Sequence, residues 1–574
     1  MQKKQWIIQP ADGRAAGLAG ELKVSPVLAQ LLINRGVTDV HGGSVFLRPR
    51  LTALIPPHKM PGVADAVRRI KQAVKDKEKI IVYGDYDVDG ITGVAILWQI
   101  LKLLGAEVDY YIPHRIDEGY GLNEEAVRLL AKDGAKLLIT VDCGISAIRS
   151  AELAAELGLE LVITDHHQIA DKLPKAAAIV HPATDATYGN QDSSGSMVAF
   201  KLVWALADDF SAGKRMDPKL HRFMLDATSL AAMGTVADVM DLRGENRVLV
   251  SYGLRMLSEC KLCGVMALIE SNGLTGKGLD SFHIGFRLAP VLNAAGRMGH
   301  ARLAVDLLTT ENTIHAQQIA QYLKEQNNQR RLCEQKIFKE ACGMMAERGL
   351  DGPDRKSVVL ASPDWHTGVI GIVASRMVGK YHRPAIMINT SETKSQGSGR
   401  SIAGFDLLKA IGSCGSHLIA FGGHKMAAGI TIETAKIERF ADDFEEYARQ
   451  NLTQDDIVDR LYIDAQVPLA KFRKEVVTEL QLLGPFGQGN PEPVFATKGV
   501  RLSAPPRKVG TNGEHLQLAV TDNTASVRCI GFGMGGMEKK LLEKDFFNVA
   551  YEPQINTYNG VSSVQLVLKD IQFG

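Results

Sequence analysis

The stretch Ile81-Val-Tyr-Gly-Asp-Tyr-Asp-Val-Asp-Gly90 runs an apolar strand straight into three aspartates at alternate positions, Asp85, Asp87 and Asp89. Carboxylates repel one another, so three in one short loop call for a divalent cation to neutralise them. Two more apolar runs end in the same way. Leu137-Leu-Ile-Thr-Val141 is followed by Asp142, and Leu161-Val-Ile-Thr164 by Asp165-His166-His167. Any one of these residues reads equally well as a helix cap or a polar loop. Their repetition at the ends of successive strands is what points to a metal site.

Working outward, short apolar strands alternate with amphipathic helices from Lys79 to His181. Strands are expected at 79–83, 108–112, 136–141 and 160–164, with helices at 91–104, 124–131 and 146–157. The strands are apolar throughout, as in a parallel sheet covered on both faces. Such a doubly wound α/β domain binds its ligand outside the carboxyl ends of the strands, where all these acids fall. A helical stretch follows around Leu225–Asp238. Polar, helix-prone sequence from Glu311 to about Arg348 predicts a long connecting helix, and a second α/β pattern begins near Ser357. That pattern carries two glycine-rich segments, Gly397-Ser-Gly-Arg-Ser401 and Phe421-Gly-Gly-His-Lys-Met-Ala-Ala-Gly429. From about Leu461 short strands take over, with an Asn559-Gly560 turn signal between two of them, as in a small β-barrel.

At 574 residues the chain requires several cores. A net charge of +1 supplies no global basic field, so any nucleic-acid contact must use local grooves. Seven scattered cysteines suggest no disulfide framework and suit a reducing cytoplasm. Cys260-Lys-Leu-Cys263 lacks a second pair nearby and reads as packing rather than zinc. The start, Met1-Gln-Lys-Lys-Gln-Trp6, has no signal-peptide core, and no apolar run reaches the roughly 20 residues of a membrane span. A cytoplasmic location is expected.

Oxygen ligands with one or two imidazoles suit Mg²⁺ or Mn²⁺ better than zinc, and the carboxylates suffice for two ions. A two-metal site stabilises both the attacking and the leaving oxygen in phosphoryl hydrolysis. No Walker A loop is present. A rival reading takes Asp87-Val-Asp89-Gly90 as the nucleophile loop of a haloacid-dehalogenase-type phosphatase, but Ile91 stands where that family has Thr, and Asp-His-His has no place there.

With Thr164-Asp-His-His167 the chain resembles the DHH phosphoesterase superfamily, and within it the RecJ-type single-strand exonucleases. The matching segments run in order. They are Tyr83–Thr92, Pro113-His-Arg-Ile-Asp-Glu-Gly-Tyr-Gly-Leu-Asn123, Thr140-Val-Asp-Cys-Gly-Ile-Ser146, Gly234-Thr-Val-Ala-Asp238 with Glu245-Asn-Arg247, and Asn293-Ala-Ala-Gly-Arg-Met298. Gly397–Ser401 and Phe421–His424 match the associated second domain, and Gly484-Pro-Phe-Gly-Gln-Gly-Asn-Pro-Glu-Pro493 the approach to an OB domain.

The resemblance implies an α/β fold. A doubly wound parallel-sheet DHH domain is joined by a long helix to a second, smaller α/β (DHHA1) domain, followed by a C-terminal OB-type β-barrel. The implied boundaries are an N-terminal segment 1–50, a catalytic domain 51–310, the helix 311–348, a substrate-binding domain 349–455 and a nucleic-acid-binding barrel 456–574. It also implies a metal-dependent 5′→3′ exonuclease that degrades single-stranded DNA in repair and recombination, working as a monomer. Single-strand-binding protein and a RecQ-type helicase are the implied partners.

Carried over, Asp87, Asp89, Asp142, His166 and Asp238 are metal ligands on Mg²⁺ or Mn²⁺, and Asp85 supports or joins them. His167 faces the scissile phosphate, and Asp165 orients a neighbouring imidazole. Arg115, Ser398 and Arg400 resemble a 5′-phosphate pocket, with Arg297 and His424 contacting the strand. Without the resemblance, a glycine-flanked arginine such as Arg400 reads as a solvated turn. The segment Ser194-Gly-Ser-Met-Val-Ala-Phe200 departs from the family pattern and is expected to lie away from the acids. Two other functions stay open: a small-substrate DHH phosphodiesterase acting on oligonucleotides or cyclic dinucleotides, and a catalytically silent replication scaffold.

Overall fold

The computed structural model describes residues 4–114, 118–297, 300–558 and 560–573. Strand β1, Gln5–Ile8, pairs in parallel with Arg460–Ile463 far along the chain. Leu28, Leu31 and Leu32 join the same core as Phe472, Phe495 and Tyr551, so the start of the chain packs on the barrel.

The first sheet holds β2 (Ile80–Gly84), β3 (Val108–Tyr111), β4 (Leu137–Val141), β5 (Glu160–Thr164) and β6 (Ala178–Val180), all parallel, in the order β3-β2-β4-β5-β6. The chain leaves β2 in one direction to make β3 and returns on the other side to make β4. That reversal opens a crevice at the carboxyl ends of β2 and β4.

Successive residues of each strand face opposite sides, and both sides are covered. Ile81, Tyr83, Leu138 and Ile163 pack with Val127 and Leu130 of helix Glu124–Lys132 and with Ala154 of helix Ile148–Glu156. Ile80, Val82, Ile139 and Val162 pack with helices Val63–Asp76, Val88–Leu103 and Gly195–Ser211. The second of these helices starts at Val88 rather than 91. Asp87 caps it, accepting from the backbone N–H of Asp89 at 3.0 Å and of Gly90 at 3.3 Å. Apolar periodicity overlooks this first turn because Asp89 and Gly90 interrupt the apolar stripe.

Helix Thr313–Glu347 is 35 residues long, which at 1.5 Å per residue is about 50 Å. Its early residues Ala316, Ile319, Ala320 and Leu323 are buried in the core of the first domain. Ile337, Ala341 and Met345 are buried in the core of the second. The second sheet comprises β7 (Val358–Ser362), β8 (Ala385–Asn389), β9 (Lys394–Arg400), β10 (Leu418–Gly423) and β11 (Ala427–Glu433), in the order β10-β11-β9-β8-β7. Only β7 and β8 run parallel.

The glycine-rich segment 397–401 is therefore mostly central strand, not a solvated turn. A Cβ at Gly397 would lie 2.7 Å from Ile430 Cγ1, and one at Gly399 3.1 Å from Leu407 Cδ2. These glycines let the sheet pack on its inner face.

After β12 (Arg460–Ile463), the C-terminal sheet holds β13 (Ala465–Gln466), β14 (Phe495–Val509), β15 (His515–Thr521), β16 (Ser526–Gly531), β17 (Phe547–Tyr558) and β18 (Val561–Phe573). Their order is β13-β14-β15-β16-β18-β17, and the sheet closes on itself through β14 and β17. The two strands expected on either side of the turn signal, Phe547–Tyr558 and Val561–Phe573, are longer than the short strands predicted. These pair up to Tyr558↔Val561; Asn559 of the turn signal lies outside the described residues. Strand β14, Phe495–Val509, gives no strand signal in the sequence because it contains Pro505-Pro506. The structure accommodates them at a break in register between Ala504 and Arg507. No single helix among the described residues is long and apolar enough to cross a membrane.

Candidate metal centre

Asp85 leaves β2 with its backbone N–H bonded to Val141 O at 3.3 Å, so it stands beside the end of β4. Asp142 follows β4 with a left-handed φ of +61°, a conformation aspartate tolerates better than most residues. Asp165, His166 and His167 follow β5, and Asp238 closes helix Pro218–Ala237. Ligand atoms of Asp85, Asp87 and Asp142 lie within 4.8 Å of one another, as do those of Asp89, His166 and Asp238, and those of Asp142, His166 and His167. His166 Nε2 is 3.0 Å from Asp142 Oδ1, 3.6 Å from Asp238 Oδ2 and 3.8 Å from Asp89 Oδ2.

Among the described residues, Asp142 Oδ1 and His166 Nε2 are buried without a hydrogen-bond partner. A buried acceptor left bare is costly, so two of them aimed at one point fit a cation. The donor set of carboxylates with imidazole, and no thiolate among its ligand atoms, suits Mg²⁺ or Mn²⁺.

The electrostatics agree. Burial, then the charges of Asp89, Asp87, Asp85 and Asp238, push the Asp142 carboxyl well above its ordinary range. Burial and the charges of Asp89, Asp87 and Asp85 push Asp238 up to about 8, and burial with Asp89 raises Asp87. Burial lowers His166, leaving a neutral imidazole able to ligate. Asp165 behaves differently. Burial alone would raise it, but the bond from His167 Nδ1 at 2.8 Å and backbone donors from Ile145, His166 and His167 hold it below the usual carboxylate range. Burial likewise opposes the charged form of His167, and Asp165 overcomes it to raise the imidazole. The Tyr120 hydroxyl donates to Asp142 O at 3.1 Å and stands 3.1 Å from His167 Nδ1, a contact that the sequence around Tyr120 does not announce.

The segment Ser194–Phe200 does not lie away from the acids. Gly195 N–H donates to Asp89 Oδ2 at 2.5 Å and Ser196 N–H to Asp89 Oδ1 at 3.0 Å, so a helix N-terminus seats this carboxylate. Three glycines complete the cradle. A Cβ at Gly195 would lie 2.6 Å from Asp142 Cβ, one at Gly234 2.4 Å from Asp89 Oδ1, and one at Gly90 2.7 Å from Asp85 O. Gly90 and Gly234 sit in the quoted motifs; Gly195 has no signal short of the tertiary structure.

The structure reaches the second domain through 293–297. Asn293 Oδ1 accepts from Val88 N–H at 3.1 Å, Gly296 lies against the Tyr86 backbone, and Arg297 Nη1 donates to Gly368 O at 3.0 Å. Gly368 lies in the first turn of helix Thr367–Tyr381, whose Gly371 leaves room for Ser398 and Arg400 on β9. Arg400 Nη1 donates to Ser398 Oγ at 3.2 Å. His424 lies in the β10–β11 turn, bonded to Ala427, which pairs with Arg400. Ser398, Arg400 and His424 thus share one end of the second sheet. Arg115 lies outside the described residues.

A doubly wound sheet whose strand ends gather aspartates and histidines at the reversal point is the frame of the DHH-type phosphoesterases. The chain matches the DHH family N-terminal domain over residues 79–232, the DHHA1 domain over 354–450 and the RecJ OB domain over 463–570. The single-stranded-DNA-specific exonuclease RecJ of Bacillus subtilis is 36% identical over 572 residues, 99% of this chain and 71% of that protein. The crystal structure of RecJ in complex with Mn²⁺ from Thermus thermophilus superposes with a TM-score of 0.85 at 30% identity, covering 99% of this chain and 80% of that one. The Mg²⁺ complex from the same organism gives 0.80 at 30% identity over 99% and 78%. The chain belongs to the RecJ family.

Proposed function

We propose that the chain is a metal-dependent exonuclease that hydrolyses single-stranded DNA from its 5′ end to mononucleotides, in DNA repair and recombination. The observation that carries this reading is the convergence of Asp85, Asp87, Asp89, Asp142, His166 and Asp238 on one crevice, with Asp142 Oδ1 and His166 Nε2 buried and bare. These residues would hold Mg²⁺ or Mn²⁺, and the carboxylates suffice for two ions. When bound, such ions supply Lewis acidity and a nucleophilic water at neutral pH.

The remaining side chains define the rest of the chemistry. Asp165 fixes His167 through Nδ1 and favours its charged form, so His167 serves the scissile phosphate as a proton-bearing partner. Arg297, Ser398, Arg400, His424 and, in this reading, Arg115 bind the terminal phosphate and the strand behind it; the arginine fork suits bidentate phosphate contact. A passage between the two α/β domains, too narrow for a duplex, would select single strands, and the barrel would hold the strand by stacking and backbone contacts. All these residues come from one chain, which supports a monomeric catalyst. Single-strand-binding protein and a RecQ-type helicase fit the same pathway as partners.

The test is digestion of a long 5′-phosphorylated single strand with Mg²⁺ or Mn²⁺, beside the same strand blocked at its 5′ end and beside blunt duplex. Loss of the open single strand alone, to mononucleotides, is expected. Asp142→Ala should abolish cleavage while the strand still binds. Survival of all three substrates would favour the small-substrate phosphodiesterase. The match to the RecJ OB domain argues against that reading, and the complete acid set argues against a silent scaffold.

A further inference from the structure

Asp238 is delivered to the metal centre by a turn rather than by a strand. The next residue, Val239, is left-handed with a φ of +59°, an unfavourable conformation for a β-branched side chain. Such a conformation persists only where the surroundings impose it. On the helix side, Val239 N–H reaches Val236 O and Met240 N–H reaches Thr235 O, both at 3.2 Å. On the far side the partners belong to another domain. Leu242 N–H donates to Gln488 O at 2.8 Å, and Arg243 Nε donates to Gly489 O at 2.6 Å. Gly489 has a φ of +70°, and a Cβ on it would lie 2.8 Å from the Asp241 carboxylate carbon.

Residues 488 and 489 lie in the loop that leads into the barrel. Arg247 holds that loop by donating to Leu483 O at 2.9 Å and Gly484 O at 2.7 Å, and it stacks on Phe46. Buried Asn490 bonds the carbonyls of Leu483 and Pro485 at 2.8 Å and accepts from Arg35 Nε at 2.7 Å. The loop is thus a rigid piece clamped from the catalytic domain and from the N-terminal helices. Asp89, by contrast, is seated by the backbone of its own domain.

From this geometry we infer that Arg243 and Gly489 are positioning residues for Asp238, so that the seating of the barrel and the metal affinity of the centre are coupled. The inference rests on the metal-centre reading proposed above. Coupling of this kind is reciprocal: a strand that shifts the loop alters metal affinity, and metal occupancy alters how the loop is held.

The test uses the full chain carrying Arg243→Met or Gly489→Ala. Mn²⁺ uptake is titrated by electron paramagnetic resonance, and single-strand binding is followed by anisotropy without metal. The expected result is an Mn²⁺ dissociation constant raised about tenfold, the usual scale for loss of a support behind a ligand. Strand affinity should stay within twofold. Arg243→Lys should recover most of the loss, and Arg243→Met added to Asp238→Asn should change Mn²⁺ binding less than twofold. Arg243 is exposed, so its replacement leaves the core intact and decides the matter even where Gly489→Ala fails to fold. Uptake of Mn²⁺ by the variants within twofold of the unmodified chain would overturn this inference alone. No uptake by the unmodified chain would overturn the metal reading and this inference with it.

Discussion

Asp165 accepts a hydrogen bond from His167 Nδ1 at 2.8 Å, and the two groups shift each other in opposite directions, the carboxyl down and the imidazole up. Replacing the carboxylate by an amide of the same shape removes the charge and leaves the ring. Asp165→Asn should therefore lower the His167 pKa and move the basic limb of the rate profile to lower pH. A kcat loss of about 10- to 100-fold is expected, the scale seen when a supporting partner is lost. A profile that keeps its basic limb in place would show that His167 does not act in its charged form.

The close fit of Gly195 against Asp142 predicts a sharp response to one methyl group. Gly195→Ala would set a Cβ 2.6 Å from Asp142 Cβ and 2.7 Å from its Oδ1. Overpacking of this kind costs about 1–3 kcal/mol, and the displaced carboxylate would weaken Mn²⁺ binding. The thermal midpoint and an Mn²⁺ titration read the two effects separately. Unchanged metal affinity would mean that the cradle is wider than the structure shows.

The metal-free protein should lose stability as pH rises from about 6.5 to about 8. Asp238 titrates near 8 when folded, against about 3.9 when unfolded. In this window the folded state therefore holds a proton that the unfolded state has lost, and stability falls with pH. Asp87 and Asp142, also raised, and His167, raised by Asp165, act in the same direction. His166 is lowered and opposes the trend only below its ordinary range near 6.5. Bound Mn²⁺ replaces these protons, so melting curves in chelator should fall across the window and curves in Mn²⁺ should not. Parallel curves would remove the carboxylates from the account.

Arg400 should matter for the strand end and not for the metals. Arg400→Ala is expected to raise KM for a 5′-phosphorylated strand about tenfold or more, the worth of one good charge-assisted contact, while Mn²⁺ affinity stays unchanged. Arg400→Lys should recover only part, because an ammonium lacks the planar fork. Equal effects on 5′-phosphate and 5′-hydroxyl strands would place Arg400 elsewhere along the DNA.

Much of the centre was legible because a parallel sheet forces its loops to one edge. Once Asp85, Asp142 and Asp165 are seen after apolar strands, their meeting follows. Asp238 is different: it ends a helix, and only the family resemblance singled it out. The sequence does not show that Ser194–Phe200, expected away from the acids, seats Asp89. Gly195 and Ser196 are far from it in sequence, and a helix N-terminus aimed at a carboxylate leaves no local trace. Gly397 and Gly399 are ambiguous in sequence for a related reason, since a glycine that makes room for Ile430 or Leu407 looks in one dimension like a glycine in a turn. Pro505-Pro506 hid the longest barrel strand because a bulge that tolerates proline depends on the neighbouring strands.

Helix Thr313–Glu347 is anchored in one core by Leu323 and in the next by Ile337. The gap between the two α/β bodies is therefore a ruler length written in residues. One residue added to its middle would swing the second body by about 100° around the helix axis. Seven would bring it back nearly into line but about 10 Å further away. Tolerance of a wider nucleic acid then becomes a quantity to be dialled by insertion, with the metal ligands left untouched.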